Sequence, residues 1–202
     1  RQSLLCFPTL LRSLPCRDCR RRFRVNPFSC LDCVHDKAPE LFAEAMIALA
    51  QRGVPFRLAL LGHRHANTPP ALARLRERLG DRIVADDRVA RQRYERILGR
   101  AVVVVSTAEQ EFQGLSVMEA ASAGARPLVP DALCYPEQYP AAYRYPPGDV
   151  AALIDRLDTW LTRAPPDPVD VAPWLSDRLL GPWRDRITRG LRGQSELQSA
   201  GG

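Results

Sequence analysis

The sequence predicts an α/β fold, a parallel sheet flanked by helices, and three observations predict it. Short apolar runs rich in β-branched residues recur along the chain, most clearly at residues 102–105, and such runs mark strands buried on both faces of a parallel sheet. Between them lie segments of roughly ten residues whose apolar positions repeat at helical spacing. Pro or Gly stands at the junctions, where helices start or stop. Strands alternating with helices argue for βαβ units, whose ligands bind beyond the carboxyl ends of the strands.

The elements follow in order. Pro39 opens a helix whose stripe is Leu41, Phe42, Ala45, Met46 and Leu49, and Gly53 ends it. Residues 56–61 read as a short buried strand, 62–68 as a polar loop, and 69–79 as a second helix stopped by Gly80. Residues 83–85 form a brief strand and 94–98 a helix closed by Gly99. The strand at 102–105, a loop at 106–113, a helix at 115–123 and a strand at 127–129 complete another unit. The loops starting at Gly62, Asp86, Ser106 and Pro130 are expected on one edge of the sheet. Residues 150–161 read as a helix and 164–168 as a Pro-rich linker. Trp174, Leu175, Leu179, Trp183 and Ile187 suggest a last amphipathic helix, broken near Gly181-Pro182, before a frayed tail at 190–202.

This divides the chain into residues 1–34, an atypical Arg- and Cys-rich segment; 35–163, a Rossmann-like domain; and 164–202, a linker, helix and tail. At 202 residues the chain can bury one good core, and it contains no apolar run long enough to cross a bilayer. It begins with Arg1, and a missing true start is expected. The net charge of +6 is concentrated in residues 1–34, where seven Arg face Asp18 and Asp32. A nucleic-acid argument from charge therefore rests on that segment.

Cysteine follows the same partition: Cys6, Cys16, Cys19, Cys30 and Cys33 precede residue 35, and Cys134 alone follows it. Cys16-x-x-Cys19 and Cys30-x-x-Cys33 could offer four thiolates to zinc, although the gap between them is shorter than the usual spacer. The competing reading is that residues 1–34 are not native sequence: 28 Arg against the single Lys37 fits a GC-rich coding bias.

The chemistry concentrates in Glu111-Phe-Gln-Gly-Leu-Ser-Val-Met-Glu119, which sets two carboxylates eight positions apart across a loop-to-helix junction. Gly114 lets a ligand approach the backbone, and the first N–H groups of the following helix point beyond the strand end. A diphosphate fits there, with one carboxylate accepting from sugar hydroxyls and the other from ribose hydroxyls.

Other polar residues carry less weight. His63 and His65 fall in a loop near the expected nucleotide, where histidines without a role are as common. Glu137 reads as a turn-fixing residue. Arg74, Arg76, Arg78, Arg82, Arg88, Arg91, Arg93 and Arg96 lie among acids and read as a solvated face rather than an RNA track. Trp174 and Trp183 read as packing anchors.

With the Glu111–Glu119 motif, His35-Asp-Lys37-Ala-Pro-Glu40 and the Tyr135-Pro-Glu137 core of residues 130–140 resemble the carboxyl-terminal half of the GT-B retaining glycosyltransferases, family 4-like. Within these they resemble the tRNA-queuosine α-mannosyltransferases, over about residues 35–163. The resemblance implies a retaining hexosyltransferase that moves mannose from GDP-mannose to queuosine in tRNA, without a metal or other cofactor, in the cytoplasm. The alternatives are a GT-B enzyme with another sugar nucleotide and a non-tRNA acceptor, or an inactive nucleotide-binding fragment. By the same resemblance Glu119 binds the donor ribose, Glu111 holds the mannose, and Gly114, Leu115 and Ser116 offer N–H groups. Lys37 neutralises the departing diphosphate, and Gly62 joins the donor-binding set. The chain departs from the family where Asn-His-Arg-Trp-Glu is expected and Cys30-Leu-Asp-Cys-Val34 stands, so that Asp32 takes an arginine's place. The resemblance implies that the amino-terminal half of the fold, which supplies much of the acceptor site, is expected to lie outside this sequence.

Overall fold

The computed structural model describes residues 28–29, 37–62, 68–174, 178 and 180–189. Its centre is a six-stranded sheet of β1 (Phe28–Ser29), β2 (Leu58–Leu60), β3 (Ile83–Asp86), β4 (Val103–Val105), β5 (Arg126–Pro130) and β6 (Arg144–Tyr145). The spatial order is β3-β2-β1-β4-β5-β6, and every pairing is parallel. Parallel neighbours require crossovers, and helices supply them. They are α1 (Pro39–Gln51), α2 (Pro70–Leu79), α3 (Arg91–Leu98), α4 (Leu115–Ser122), the single turn α5 (Tyr135–Gln138) and α6 (Val150–Thr162). The order reverses between β1 and β4, so the segments after these two strands lead away to opposite sides. In open α/β sheets that divergence is where ligands settle.

Burial follows the sequence pattern. All three residues of β2 and of β4 are buried, as strands covered on both faces require. Phe42, Ala45, Met46 and Leu49 of α1 are removed from solvent, as are Leu72, Leu75 and Leu79 of α2 and Leu153 and Leu157 of α6. Each large side chain among them contributes roughly 1.5–3 kcal/mol by leaving water. Gly53, at φ +75°, ends α1: its N–H donates to the Ala50 carbonyl and that of Val54 to the Leu49 carbonyl, closing a Schellman motif. Asp149 caps α6 by accepting from the Ala152 N–H at 2.9 Å. Arg52, just past α1, reaches Asp155 at 2.8 Å and Asp158 at 3.4 Å on α6.

Several boundaries differ from the sequence reading. The expected strand at 56–61 pairs only over Leu58–Leu60, with a register shift against β3 between Leu58 and Ala59. Phe56 is buried under the Arg82 guanidinium, 4.8 Å from its ring centroid. Phe28–Ser29, within the segment set apart as Arg- and Cys-rich, form β1, which pairs with both β2 and β4 at the middle of the sheet. Neither β6 nor α5 was foreseen. The segment read as a linker is tied down: Arg126 Nε donates to the Pro166 carbonyl at 3.0 Å and Tyr143 Oη to the Asp167 carbonyl at 2.5 Å.

The sheet and its helices form a compact unit ending at Val169, and residues from Asp170 belong to another. In the second unit a single turn covers Ala172–Trp174, and residues 180–189 are helical. The described residues stay helical through Gly181-Pro182, where the sequence reading placed a break. Trp183 is 62% exposed beside Leu180 and Ile187, which corrects its reading as a packing anchor. Among the described residues no helix is long and apolar enough to cross a membrane.

Candidate functional site

Lys37 stands immediately before α1, and its backbone is clamped from β4's side of the sheet. Thr107, buried just beyond β4, donates its hydroxyl to the Lys37 carbonyl at 2.7 Å. Between Lys37 and Pro39 the chain passes through Ala38 at φ 40°, ψ 63°. The α region is disfavoured before proline, and a left-handed alanine costs roughly 1–2 kcal/mol. That local cost is offset by the Thr107 bond and by Pro39 starting the helix, and it fixes where the lysine emerges.

The ammonium of Lys37 lies 3.2 Å from Glu111 Oε2 and donates to the Gln110 carbonyl at 2.7 Å. Glu111 Oε1 accepts from the N–H groups of Phe112 at 3.1 Å and Gln113 at 3.3 Å. Partial burial pushes the Glu111 carboxyl up, but the N–H groups of Gly114 and Gln113 and the Lys37 charge outweigh it, and the net shift is below the usual carboxylate range. Glu111 thus gathers the cation and backbone donors that a phosphate or sugar oxygen would also use.

The loop under Glu111 is braced by α5. Gly114 is left-handed at φ 63°, and a Cβ there would stand 2.9 Å from Tyr135 Cε1. Tyr135 Oη donates to Ser106 Oγ at 2.8 Å, Tyr145 Oη to the Ser106 carbonyl at 2.9 Å, and Gln138 Nε2 to the Gln113 carbonyl at 2.9 Å. Burial holds the Tyr135 and Tyr145 phenols well above their ordinary pKa, so both remain neutral donors. Glu137, expected to fix this turn, is exposed; Tyr135 and Gln138 make the fixing contacts.

Gly114 precedes α4, whose first N–H groups find no partner inside the helix. Leu115 is exposed and Ser116 half-buried at that end, and Phe112 beside them is 97% exposed. One turn on, Glu119 accepts from Tyr94 Oη at 2.7 Å. Glu119 and Tyr94 line a cavity of about 510 Å³ with Leu61, Gly62, Asp87 and Arg88.

The structure brings Lys37 to Glu111, puts Gly114, Leu115 and Ser116 at one helix start, and sets Gly62 and Glu119 on one cavity wall. Sequence reasoning missed Thr107 and Tyr94, whose partners lie far away in the chain. The Cys16, Cys19, Cys30 and Cys33 thiols, Asp32, His63 and His65 lie outside the described residues. Of the arginines read as a solvated face, Arg74, Arg78, Arg88, Arg91, Arg93 and Arg96 are exposed. Arg76 instead forms a two-pronged bond to Asp86 at 2.7 and 2.8 Å, and Arg82 donates to the Val54 carbonyl at 2.8 Å.

Residues 30–163 match the family described as "Glycosyl transferases group 1". Over 111 residues the chain is 34% identical to the tRNA-queuosine alpha-mannosyltransferase of Drosophila melanogaster, covering 55% of this chain and 29% of that protein. The chain thus spans under a third of the length of that curated relative. Among solved structures it is similar to a UDP-forming α,α-trehalose-phosphate synthase from Burkholderia xenovorans, with a TM-score of 0.62 and 17% identity over 91% of this chain and 48% of that one. It is also similar to the catalytic domain of cholesterol-α-glucosyltransferase from Helicobacter pylori, with a TM-score of 0.57 and 19% identity over 68% of this chain and 86% of that one. At such identities these two likenesses concern the fold alone.

Proposed function

The chain belongs to the glycosyl transferases group 1 family, with the α/β fold of a GT-B glycosyltransferase, and we propose that it forms the donor-binding half of a retaining hexosyltransferase. The observation that carries this reading is the pairing of Lys37 with Glu111 at 3.2 Å, beside a helix start whose second turn bears Glu119.

Each group has a task. Glu119 accepts from the ribose hydroxyls of a nucleoside diphosphate sugar in the cavity that Gly62 also lines. The N–H groups of Gly114, Leu115 and Ser116 face the diphosphate or the sugar. Lys37 leaves Glu111 for the diphosphate and stabilises its growing negative charge as the glycosidic bond breaks. Glu111, released from the lysine, holds the sugar hydroxyls and sets the anomeric carbon toward the acceptor. An acceptor hydroxyl entering on the face that the diphosphate leaves, and passing its proton to a departing diphosphate oxygen, preserves configuration without a protein nucleophile. The counter-charge comes from the protein, and the reading calls for no metal or cofactor.

The finer assignment, mannose from GDP-mannose to queuosine in tRNA, in the cytoplasm, is supported by the likeness to the Drosophila protein. It concerns a whole protein of which this chain spans a part. Titration calorimetry with GDP-mannose, GDP, UDP-glucose and UDP tests it. GDP-mannose is expected to bind tightest, unaffected by a chelator. Tighter binding of UDP-glucose would overturn the choice of donor, and no binding by any of the four would overturn the site.

A further inference from the structure

We propose that Tyr94 is a positioning residue for Glu119, holding its carboxylate in the one orientation that meets the vicinal hydroxyls of a nucleotide ribose. The inference rests on the reading of Glu119 as the ribose acceptor.

Tyr94 sits on α3 and Glu119 on α4, and their side chains meet at 2.7 Å between Tyr94 Oη and Glu119 Oε2. A carboxylate only accepts, so the phenol must donate, and the bond gains from the negative charge of its acceptor. One lone pair of Oε2 is thereby spent. Oε1 and the second lone pair of Oε2 remain as a fixed pair of acceptors, which is the complement of two adjacent hydroxyl donors.

Two further observations set this contact apart from a plain brace between helices. Both side chains line the same 510 Å³ cavity, so the bond is made at its wall. Arg91, also on that wall, is drawn to Glu95, its Nε lying 2.7 Å from Glu95 Oε1, while Glu119 acts on it only as a nearby charge. Glu119 is therefore oriented by a neutral donor that leaves its charge intact, and a guanidinium that could cover both its oxygens is engaged elsewhere. A flexible glutamate would have to be ordered by the ligand at the ligand's expense; this one is ordered beforehand.

The test is calorimetric titration of wild type and Tyr94→Phe with GDP and with 2′,3′-dideoxy-GDP. Wild type is expected to prefer GDP by about tenfold or more, because the dideoxy analogue leaves the carboxylate without its donors. Tyr94→Phe is expected to reduce that preference to under about threefold by weakening GDP alone, with dideoxy-GDP binding unchanged. If the variant loses affinity for both nucleotides equally, or keeps the wild-type preference, Tyr94 merely braces the helices and the proposal falls while the ribose reading stands. If wild type shows no preference, or binds neither nucleotide, the ribose reading falls and takes this proposal with it. Should Tyr94→Phe fail to fold, Tyr94→Met fills similar space without a donor and is read in the same way.

Discussion

Lys37 Nζ and Glu111 Oε2 meet at 3.2 Å although 74 positions separate them in the chain. The contact joins the residue that precedes α1 to the loop that follows β4, on the two sides of the point where the strand order reverses. Two groups read as serving the donor are thus satisfied by each other beforehand, and ligand entry exchanges one partner for another.

Glu111→Gln removes the charge that holds Lys37. Partly exposed ion pairs contribute at most about 1 kcal/mol, so the variant is expected to fold, with GDP affinity raised by up to about fivefold because the ammonium no longer has to leave a partner. The gain of GDP-mannose over GDP is expected to disappear. Calorimetry of both ligands against wild type and variant checks the two halves of this prediction.

The same carboxyl predicts a pH dependence. Its pKa is lowered in the fold, so its contribution to stability is present above the unfolded value of about 4.3 and is lost as pH falls through the lower folded value. The stability gap between wild type and Glu111→Gln is therefore expected to be widest near neutral pH and to close in acid. Denaturant unfolding at a series of pH values measures it, and a gap that widens as pH falls would reverse the sign.

Gly114→Ala and Gly53→Ala make a controlled comparison. Both glycines are left-handed, at φ +63° and +75°, but a Cβ at Gly53 meets nothing within 4 Å, whereas one at Gly114 meets Tyr135 at 2.9 Å. Gly53→Ala is expected to cost about 1 kcal/mol from backbone strain, and Gly114→Ala about 3 kcal/mol or more, with weakened donor binding. Equal losses in urea midpoints would show that Tyr135 yields freely.

Tyr135, Tyr139 and Tyr145 are buried, and burial raises all three phenols above their ordinary range. A raised folded pKa means full stability below the unfolded value of about 10, lost as pH climbs beyond it. Stability is expected to fall steeply above about pH 10, and the last phenolate absorbance to appear only with loss of the folded circular dichroism signal. Smooth ionisation of every tyrosine in a still-folded chain would contradict this.

Arg76 grips Asp86 with two bonds, and both side chains are half-buried. Arg76→Lys keeps the charge but loses the planar fork, and is expected to cost about 1 kcal/mol in urea unfolding.

Legibility in the sequence tracked how local each signal was. The βα alternation was readable because residues 102–105 are uniformly apolar and because the α1 stripe repeats at helical spacing between Pro39 and Gly53. The junction at Gly114 was readable because glycine there answers a backbone need. Phe28–Ser29 and Arg144–Tyr145 were not, since two-residue strands carry no periodicity and are stabilised by their neighbours. The Tyr94–Glu119 and Thr107–Lys37 bonds were also out of reach, because each depends on elements brought together only by tertiary packing.

The placement of β1 has an outcome for assembly. β2 and β3 come from adjacent chain segments, as do β4, β5 and β6, and among the described residues Phe28–Ser29 is the strand that pairs with both groups. Loss of that short ribbon would divide the sheet and leave the edges of β2 and β4 open to intermolecular pairing.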